Sequence, residues 1–143
     1  MRRIRPATRS DVDRLREVQE RALAEPWPDL LETAVGGYPP IYVAVDSVPV
    51  GYAITVPGPE AVGYVPELAV DPAHQREGHG SALLAFVCEQ LRADGYEKLR
   101  LSVLAEDDRA RQFYSDCGFE FVERLPAEFG SGDGVLLGKD LDP

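Results

Sequence analysis

The sequence predicts a mixed α/β domain spanning residues 1–143, with one central sheet of about six to seven strands flanked by about four helices. Three observations carry this. Apolar residues switch between helical and strand spacing along the chain. The stretches between these segments are short turns, with no linker, repeat or low-complexity tract to divide domains. Hydrophobic residues make up 44% against 28% charged, enough for one core without a disulfide or metal staple.

Met1 to Pro6 is a short extended run carrying Ile4, and Thr8 to Ser10 turns the chain. Ser10 with Asp13 reads as a capping box at a helix start. Val12, Leu15, Val18, Ala22 and Leu23 then recur at helical spacing, and the helix ends before Pro26, which has no N–H to continue it. Glu25 to Pro40 is rich in proline and glycine around Leu30, Leu31 and Ala34, a brief second helix between two loops. IYVAV (41–45) and VGYAITV (50–56) are β-branched and aromatic, an antiparallel hairpin joined by Asp46 to Pro49. A fourth strand runs from about Val62 to Val70. Pro66 in its middle lacks a ladder donor, so a bulge or an opening is expected there.

Gly80 to Asp94 is the clearest helix, with Leu83, Leu84, Val87 and Leu91 on one stripe and Gly95 placed to end it. KLRLSVL (98–104) alternates as a strand. Ala110, Phe113, Tyr114 and Cys117 mark a last helix stopped by Gly118; Phe119 to Leu125 and Val135 to Leu141 form a closing strand pair. That pair offers an edge to a neighbour, so monomer and homodimer both stay open.

The formal charge of −10 repels phosphate backbones and anionic lipid, which argues against nucleic acid and membrane as partners. It favours cationic small molecules or basic peptides. No apolar run approaches a bilayer span, and no hydrophobic block follows the basic residues of MRRIRPATRSDVDRL to make a secretory signal. Two cysteines, Cys88 and Cys117, with only His74 and His79 beside them, argue against a disulfide framework and against a metal. A reducing cytoplasm is the expected compartment.

Directly after the fourth strand comes Asp71-Pro72-Ala73-His74-Gln75-Arg76-Glu77-Gly78-His79-Gly80-Ser81. A strand, a loop with glycines two apart and then a helix make a place for an anion. Amides at a helix N-terminus point outward unsatisfied, and the helix dipole adds about half a positive charge. Arg76 can add a charged contact; a plain loop-to-helix cap is the competing reading. There is no G-x-x-x-x-G-K-[ST], and Leu83 stands where G-x-G-x-x-G needs its third glycine.

The spacing that fits is Q-x-x-G-x-G. Glu67-Leu68-Ala69-Val70-Asp71-Pro72, followed by Gln75-x-x-Gly78-x-Gly80-Ser81-Ala82-Leu83-Leu84, resembles the coenzyme A signature of the GNAT family of N-acetyltransferases. Ala110-x-x-Phe113-Tyr114-x-x-x-Gly118-Phe119 resembles that family's later helix-to-strand motif. The resemblance is specific over roughly Glu67 to Phe119. It implies a GNAT-like fold with the sheet splayed between strands four and five, and acetyl-CoA as cosubstrate with no metal.

By the same resemblance, the backbone of Leu68 and Val70 pairs with the pantetheine arm as an added strand. Gln75, Arg76, Glu77, Gly78, His79, Gly80 and Ser81 hold the diphosphate, and an N–H near Leu68 or Ala69 meets the carbonyl oxygen as it gains charge. Asp107, Ala110 and Phe113 complete the cofactor side, although Phe113 also reads as core. Relatives often carry Asn where Asp107 stands; a carboxylate caps a helix equally well but donates no amide hydrogen bond. Tyr114 is assigned as the general acid that protonates the leaving thiolate, against a core-aromatic alternative. Glu67 is assigned as the general base for the amine, against a solvated or salt-bridged glutamate. His79 reads either as an aid to phosphate binding or as a solvent-facing filler. Cys117 reads as a buried small hydrophobe and Cys88 has no base motif nearby, so transfer is direct rather than through a cysteine.

The implied activity is acetyl transfer from acetyl-CoA to a primary amine of a small molecule or peptide. The alternative is a non-catalytic acyl-CoA-binding regulatory module of the same fold. The acceptor side falls on Glu25 to Pro40, Pro57 to Gly63 and Arg124 to Gly134. These hold Glu25, Asp29, Glu32, Glu60, Glu128 and Asp133, with Trp27 and Tyr38 as aromatic walls, which suits a cationic acceptor.

Overall fold

The elements follow the periodicity of the chain: β1 (Arg3–Pro6), α1 (Val12–Ala22), α2 (Pro28–Val35), β2 (Ile41–Asp46), β3 (Val48–Pro57), β4 (Val62–Val70), α3 (His79–Ala93), β5 (Lys98–Leu104), α4 (Asp108–Asp116), β6 (Glu120–Phe129) and β7 (Gly132–Asp140). The structure, a computed structural model, describes residues 2–141, so Met1 of the first run lies outside the described residues. The seven strands form one sheet in the order β1-β2-β3-β4-β5-β7-β6. Only β4 and β5 are parallel; the other neighbours are antiparallel, and β7 lies between β5 and β6.

Pro66 acts as its chemistry predicts. The β3–β4 register shifts between Ile54 and Val56, opposite Val65 and Pro66, so β4 carries a bulge there. On its other edge β4 pairs with β5 only over Val62–Tyr64 against Lys98–Arg100. Beyond Tyr64 the two strands part, while β5 stays paired to β7 as far as Leu104. The expected splay is therefore present, and the C-terminal half of β4 presents a backbone edge with no ladder partner.

Each face of the sheet is covered. Leu15 and Val18 of α1 and Leu31, Ala34 and Val35 of α2 pack on Val43, Tyr52 and Ile54. Leu83, Leu84, Val87 and Leu91 of α3, with Tyr114 of α4, pack on Ala44, Ala53, Leu101 and Leu137.

Several local expectations need correction. The capping pair before α1 is Thr8 with Asp11, not Ser10 with Asp13: the Thr8 N–H donates to Asp11 Oδ2 at 2.8 Å. A 3-10 turn, Arg9–Asp11, precedes α1 and moves the cap upstream. Arg5 fixes Asp11 by donating from both terminal nitrogens at 2.8 and 2.9 Å. The β2–β3 turn is tighter than expected, with only Ser47, at φ 67°, between the strands. The β6–β7 hairpin starts its return at Gly132 and is longer than its apolar cores suggested, because polar residues continue the ladder.

Candidate active site

The N-terminus of α3 lies at the open end of the splay. Gly78 precedes the helix at φ 87°, in the left-handed region that glycine adopts most readily. No side chain caps the helix, and the first amide bonded back is that of Ala82, which donates to Gly78 O at 3.1 Å. The amides of His79, Gly80 and Ser81 are thus left without acceptors among the described residues, the arrangement an anion needs. Gly80 permits a close approach from the opposite motif: a Cβ here would stand 3.1 Å from Phe113 Cζ. The two sequence motifs therefore meet at Gly80 and Phe113. The residues present fit a diphosphate and an extended amide-bearing arm.

The cradle is braced from behind. Asp71, 1% exposed, accepts from Arg14 at 2.8 Å, Arg21 at 3.3 Å and the Ala73 N–H at 3.1 Å, starting the 3-10 turn Pro72–His74. Burial alone would raise its pKa, but the Ala73 amide and the two arginines hold it below the usual carboxylate range. The Gln75 side chain donates to Val70 O at 3.1 Å, holding the loop to the end of β4. Arg76 takes φ 65° and is exposed.

His79 is corrected outright: it is not a solvent-facing filler but 2% exposed. Arg2 donates from Nε to His79 Nδ1 at 3.2 Å and from Nη2 to Glu77 O at 2.8 Å, while His79 Nε2 lies 3.1 Å from Glu77 Oε1. Two cationic or polar side chains thus fix the loop at positions where sequence spacing showed only surface.

Glu67 is neither solvated nor salt-bridged. It is 7% exposed, with Oε1 accepting from Gln19 Nε2 at 2.9 Å and from the Tyr52 hydroxyl at 2.8 Å. Its Oε2 accepts the Trp27 N–H at 2.8 Å. Among the described residues, neutral donors alone satisfy this carboxylate. Burial, then the neighbouring Glu67 charge, raises the pKa of Tyr52 far above that of a free phenol. Gln19 and Tyr52 went unread in the sequence. The signal was present in Gln19, which stands four residues after Leu15 in an otherwise apolar stripe.

Tyr114 is 9% exposed, with its ring 5.0 Å from Phe113 and 5.6 Å from Phe119 in edge-on contacts. Burial, then Cys117 and Asp107, raises its pKa well above that of a free phenol. Its ring is part of the core between α4 and the sheet, as the core-aromatic alternative expected. Phe113 is half-buried and packs against the same core. Asp107 caps α4 by accepting the Ala110 N–H at 3.0 Å, as an Asn in its place would.

On the acceptor side, much of the carboxylate set is already engaged. Glu25 accepts from the Gly130 N–H at 2.8 Å and from the Ser131 hydroxyl at 2.5 Å, clasping the α1–α2 loop to the β6–β7 tip. Glu32 pairs with Arg16, and Asp133 with Arg124 at 2.9 Å. Trp27 and Tyr38 stay exposed at 58% and 61%, available as walls. A groove of about 600 Å³ between α4 and β6, lined by Arg111, Gln112, Phe119 and Phe121, contains none of the expected site residues.

Known proteins match this arrangement. The sequence model of the acetyltransferase (GNAT) family covers residues 12–119. The ribosomal protein bS18-alanine N-acetyltransferase of Escherichia coli K12 is 30% identical over 135 residues, covering 90% of each chain. The glucosamine 6-phosphate N-acetyltransferase of Trypanosoma brucei brucei is 34% identical over 67 residues, 47% of this chain and only 44% of that protein. The crystal structure of Ard1 from Thermoplasma volcanium superposes with a TM-score of 0.91 at 23% identity, covering 99% of each chain. The splayed sheet, the uncapped α3 and the two sequence matches agree: the chain belongs to the acetyltransferase (GNAT) family.

Proposed function

We propose that the protein is an N-acetyltransferase that moves an acetyl group from acetyl-CoA directly to a primary amine. The observation that carries this is the conjunction of an unpaired β4 edge with the acceptor-free amides of His79, Gly80 and Ser81 at the same end of the sheet. Acetyl-CoA supplies the activated thioester. The Leu68 and Val70 backbone binds its arm as an added strand, and the loop from Gln75 to Ser81 holds the diphosphate.

The chain's own groups supply the proton traffic. At pH 7 a peptide α-amine, with a pKa of about 8, is mostly protonated and an alkylamine almost wholly so, so a base speeds attack. Glu67 Oε2 accepts one N–H and keeps a lone pair for the amine or an intervening water. Asp71 N–H donates to Val50 O, so the alternation of the strand turns Ala69 toward β3 and leaves the backbone N–H of Leu68 on the open edge to meet the carbonyl oxygen as charge grows. Tyr114 delivers the proton to the departing sulfur.

The longer match, to the alanine N-acetyltransferase, favours a peptide α-amine over an amino sugar. We place the protein in the reducing cytoplasm, where its two thiols stay free. The test is CoA thiol release from acetyl-CoA against peptides with varied first residues, amino sugars and polyamines, with Tyr114→Phe in parallel. Acceptor-dependent release that falls in the variant supports the reading. Tight acetyl-CoA binding with no release from any acceptor overturns catalysis and supports a binding module.

A further inference from the structure

We propose that His74, Glu77 and His79 form a binding site for a divalent transition-metal ion, with Zn²⁺ as the preferred occupant. Their ligand atoms all lie within 4.8 Å of one another. Glu77 Oε1 is 3.5 Å from His74 Nδ1 and 3.1 Å from His79 Nε2. A tetrahedral ion with bonds of about 2.0–2.1 Å holds its ligands about 3.4 Å apart, so these spacings are near those of a formed site. Two imidazoles and one carboxylate suit zinc and its neighbours rather than Mg²⁺ or Ca²⁺, which take oxygen ligands. The proposal departs from the expectation, drawn from the small count of cysteines and histidines, that argued against a metal.

The backbone supports the spacing from two sides. His74 ends the 3-10 turn that Asp71 starts, and His79 is the first residue of α3 and nearly fully buried. An ion here would tie the turn before the glycine loop to the helix after it, fixing Gln75 to Gly78 between them.

Arg2 makes the site switchable. Its Nε–H donates to His79 Nδ1, so that nitrogen carries no proton and the neutral ring holds its proton on Nε2. A neutral histidine that ligates through Nε2 must instead carry the proton on Nδ1 and donate it outward. Arg2 has only donors to offer. Metal binding at His79 therefore requires the Arg2 contact to break, and the ion and the Arg2 side chain compete for the same imidazole. The proposal does not depend on the acetyl-CoA reading.

The experiment titrates metal-free protein with Zn²⁺ against a chromophoric chelator, without acetyl-CoA, and repeats it with Co²⁺ by absorption. The expected result is one ion per chain, weakened at least about tenfold by His74→Ala and by His79→Gln. Arg2→Gln tightens binding several-fold, and a Cys88→Ser/Cys117→Ser variant binds like the parent. Bound Co²⁺ shows visible bands without the near-ultraviolet absorption of a thiolate ligand. His74 is half-exposed, so His74→Ala is the variant least prone to misfold, and its thermal melt verifies folding. Substoichiometric binding, binding indifferent to His74→Ala, weaker binding in Arg2→Gln, or a thiolate band would each overturn the proposal. Acetyl-CoA binding measured separately in the metal-free protein keeps a failure here distinct from a failure of the transferase reading.

Discussion

Glu67 Oε2 accepts the backbone N–H of Trp27 at 2.8 Å, joining β4 to the α1–α2 loop across 40 residues of sequence. One carboxylate thus holds the loop expected to flank the acceptor and is also the assigned general base. The two roles separate by substitution. In Glu67→Gln, the oxygen can still accept the Trp27 N–H, while the new NH₂ donates to Tyr52 or to a flipped Gln19 amide. Stability should change by less than about 1 kcal/mol, whereas Glu67→Ala strands three donors and should cost about 3 kcal/mol. Amine-dependent kcat/KM should fall about 100-fold in Glu67→Gln, with the deficit shrinking as pH rises past the amine's own pKa, about 8 for a peptide α-amine. Equal loss at every pH would leave Glu67 as a positioning residue only.

Tyr114, like any phenol, is protonated at neutral pH, and burial pushes its pKa further up, so it is suited to an acid and not to a base. Tyr114→Phe keeps the ring contacts to Phe113 and Phe119 and removes only the hydroxyl. We expect kcat to drop about 100-fold or more with KM for acetyl-CoA nearly unchanged. An unchanged kcat would make Tyr114 a core aromatic alone.

Gly78 and Gly80 serve the cradle differently. Gly78→Ala forces a side chain into φ 87° and should cost about 1–2 kcal/mol. Gly80→Ala places a methyl 3.1 Å from Phe113 Cζ and should cost about 1 kcal/mol while pushing the two motifs apart. Both should weaken acetyl-CoA binding by at least about tenfold in calorimetry, beyond what their stability losses explain.

Acid should unfold the protein through Asp71 and Asp11. Asp71 is held low against its burial by the Ala73 amide and by Arg14; Asp11 is held low first by its Arg5 hydrogen bond. The folded pKa of each lies below the unfolded value of about 3.9. Their contribution is therefore complete above that value and is lost as pH falls through the folded pKa. Asp71→Asn should cost about 2 kcal/mol at pH 7 and flatten the decline between pH 5 and 2 in urea titrations.

The Glu25 clasp on Gly130 and Ser131 predicts a local effect. In Glu25→Ala, those two amides should exchange with deuterium faster while amides in β5 keep their protection. No change at the hairpin tip would mean that the clasp does not hold in solution.

Most elements were legible because each rests on local chemistry. The alternation of KLRLSVL gave β5, the stripe from Leu83 to Leu91 gave α3, and Pro66 marked where β4 departs from its neighbours. Glycine spacing marked the left-handed turn at Gly78 and the close approach at Gly80 for the same reason, since both leave a record in residue type. The misses share one cause. The burial of His79, the donors around Glu67 and the engagement of Glu25 and Asp133 all depend on partners distant in sequence, such as Arg2, Gln19, Tyr52 and Ser131.

The sequence by itself determined the order of elements and the glycine-flanked start of α3 after β4, because periodicity, proline and glycine act within a few residues. Only the tertiary structure decided that β7 enters between β5 and β6, that Glu67 is buried among neutral donors and that Arg2 reaches His79. Those outcomes come from strand pairing and side-chain contacts between distant segments, whose free energies exist only once the chain has closed on itself.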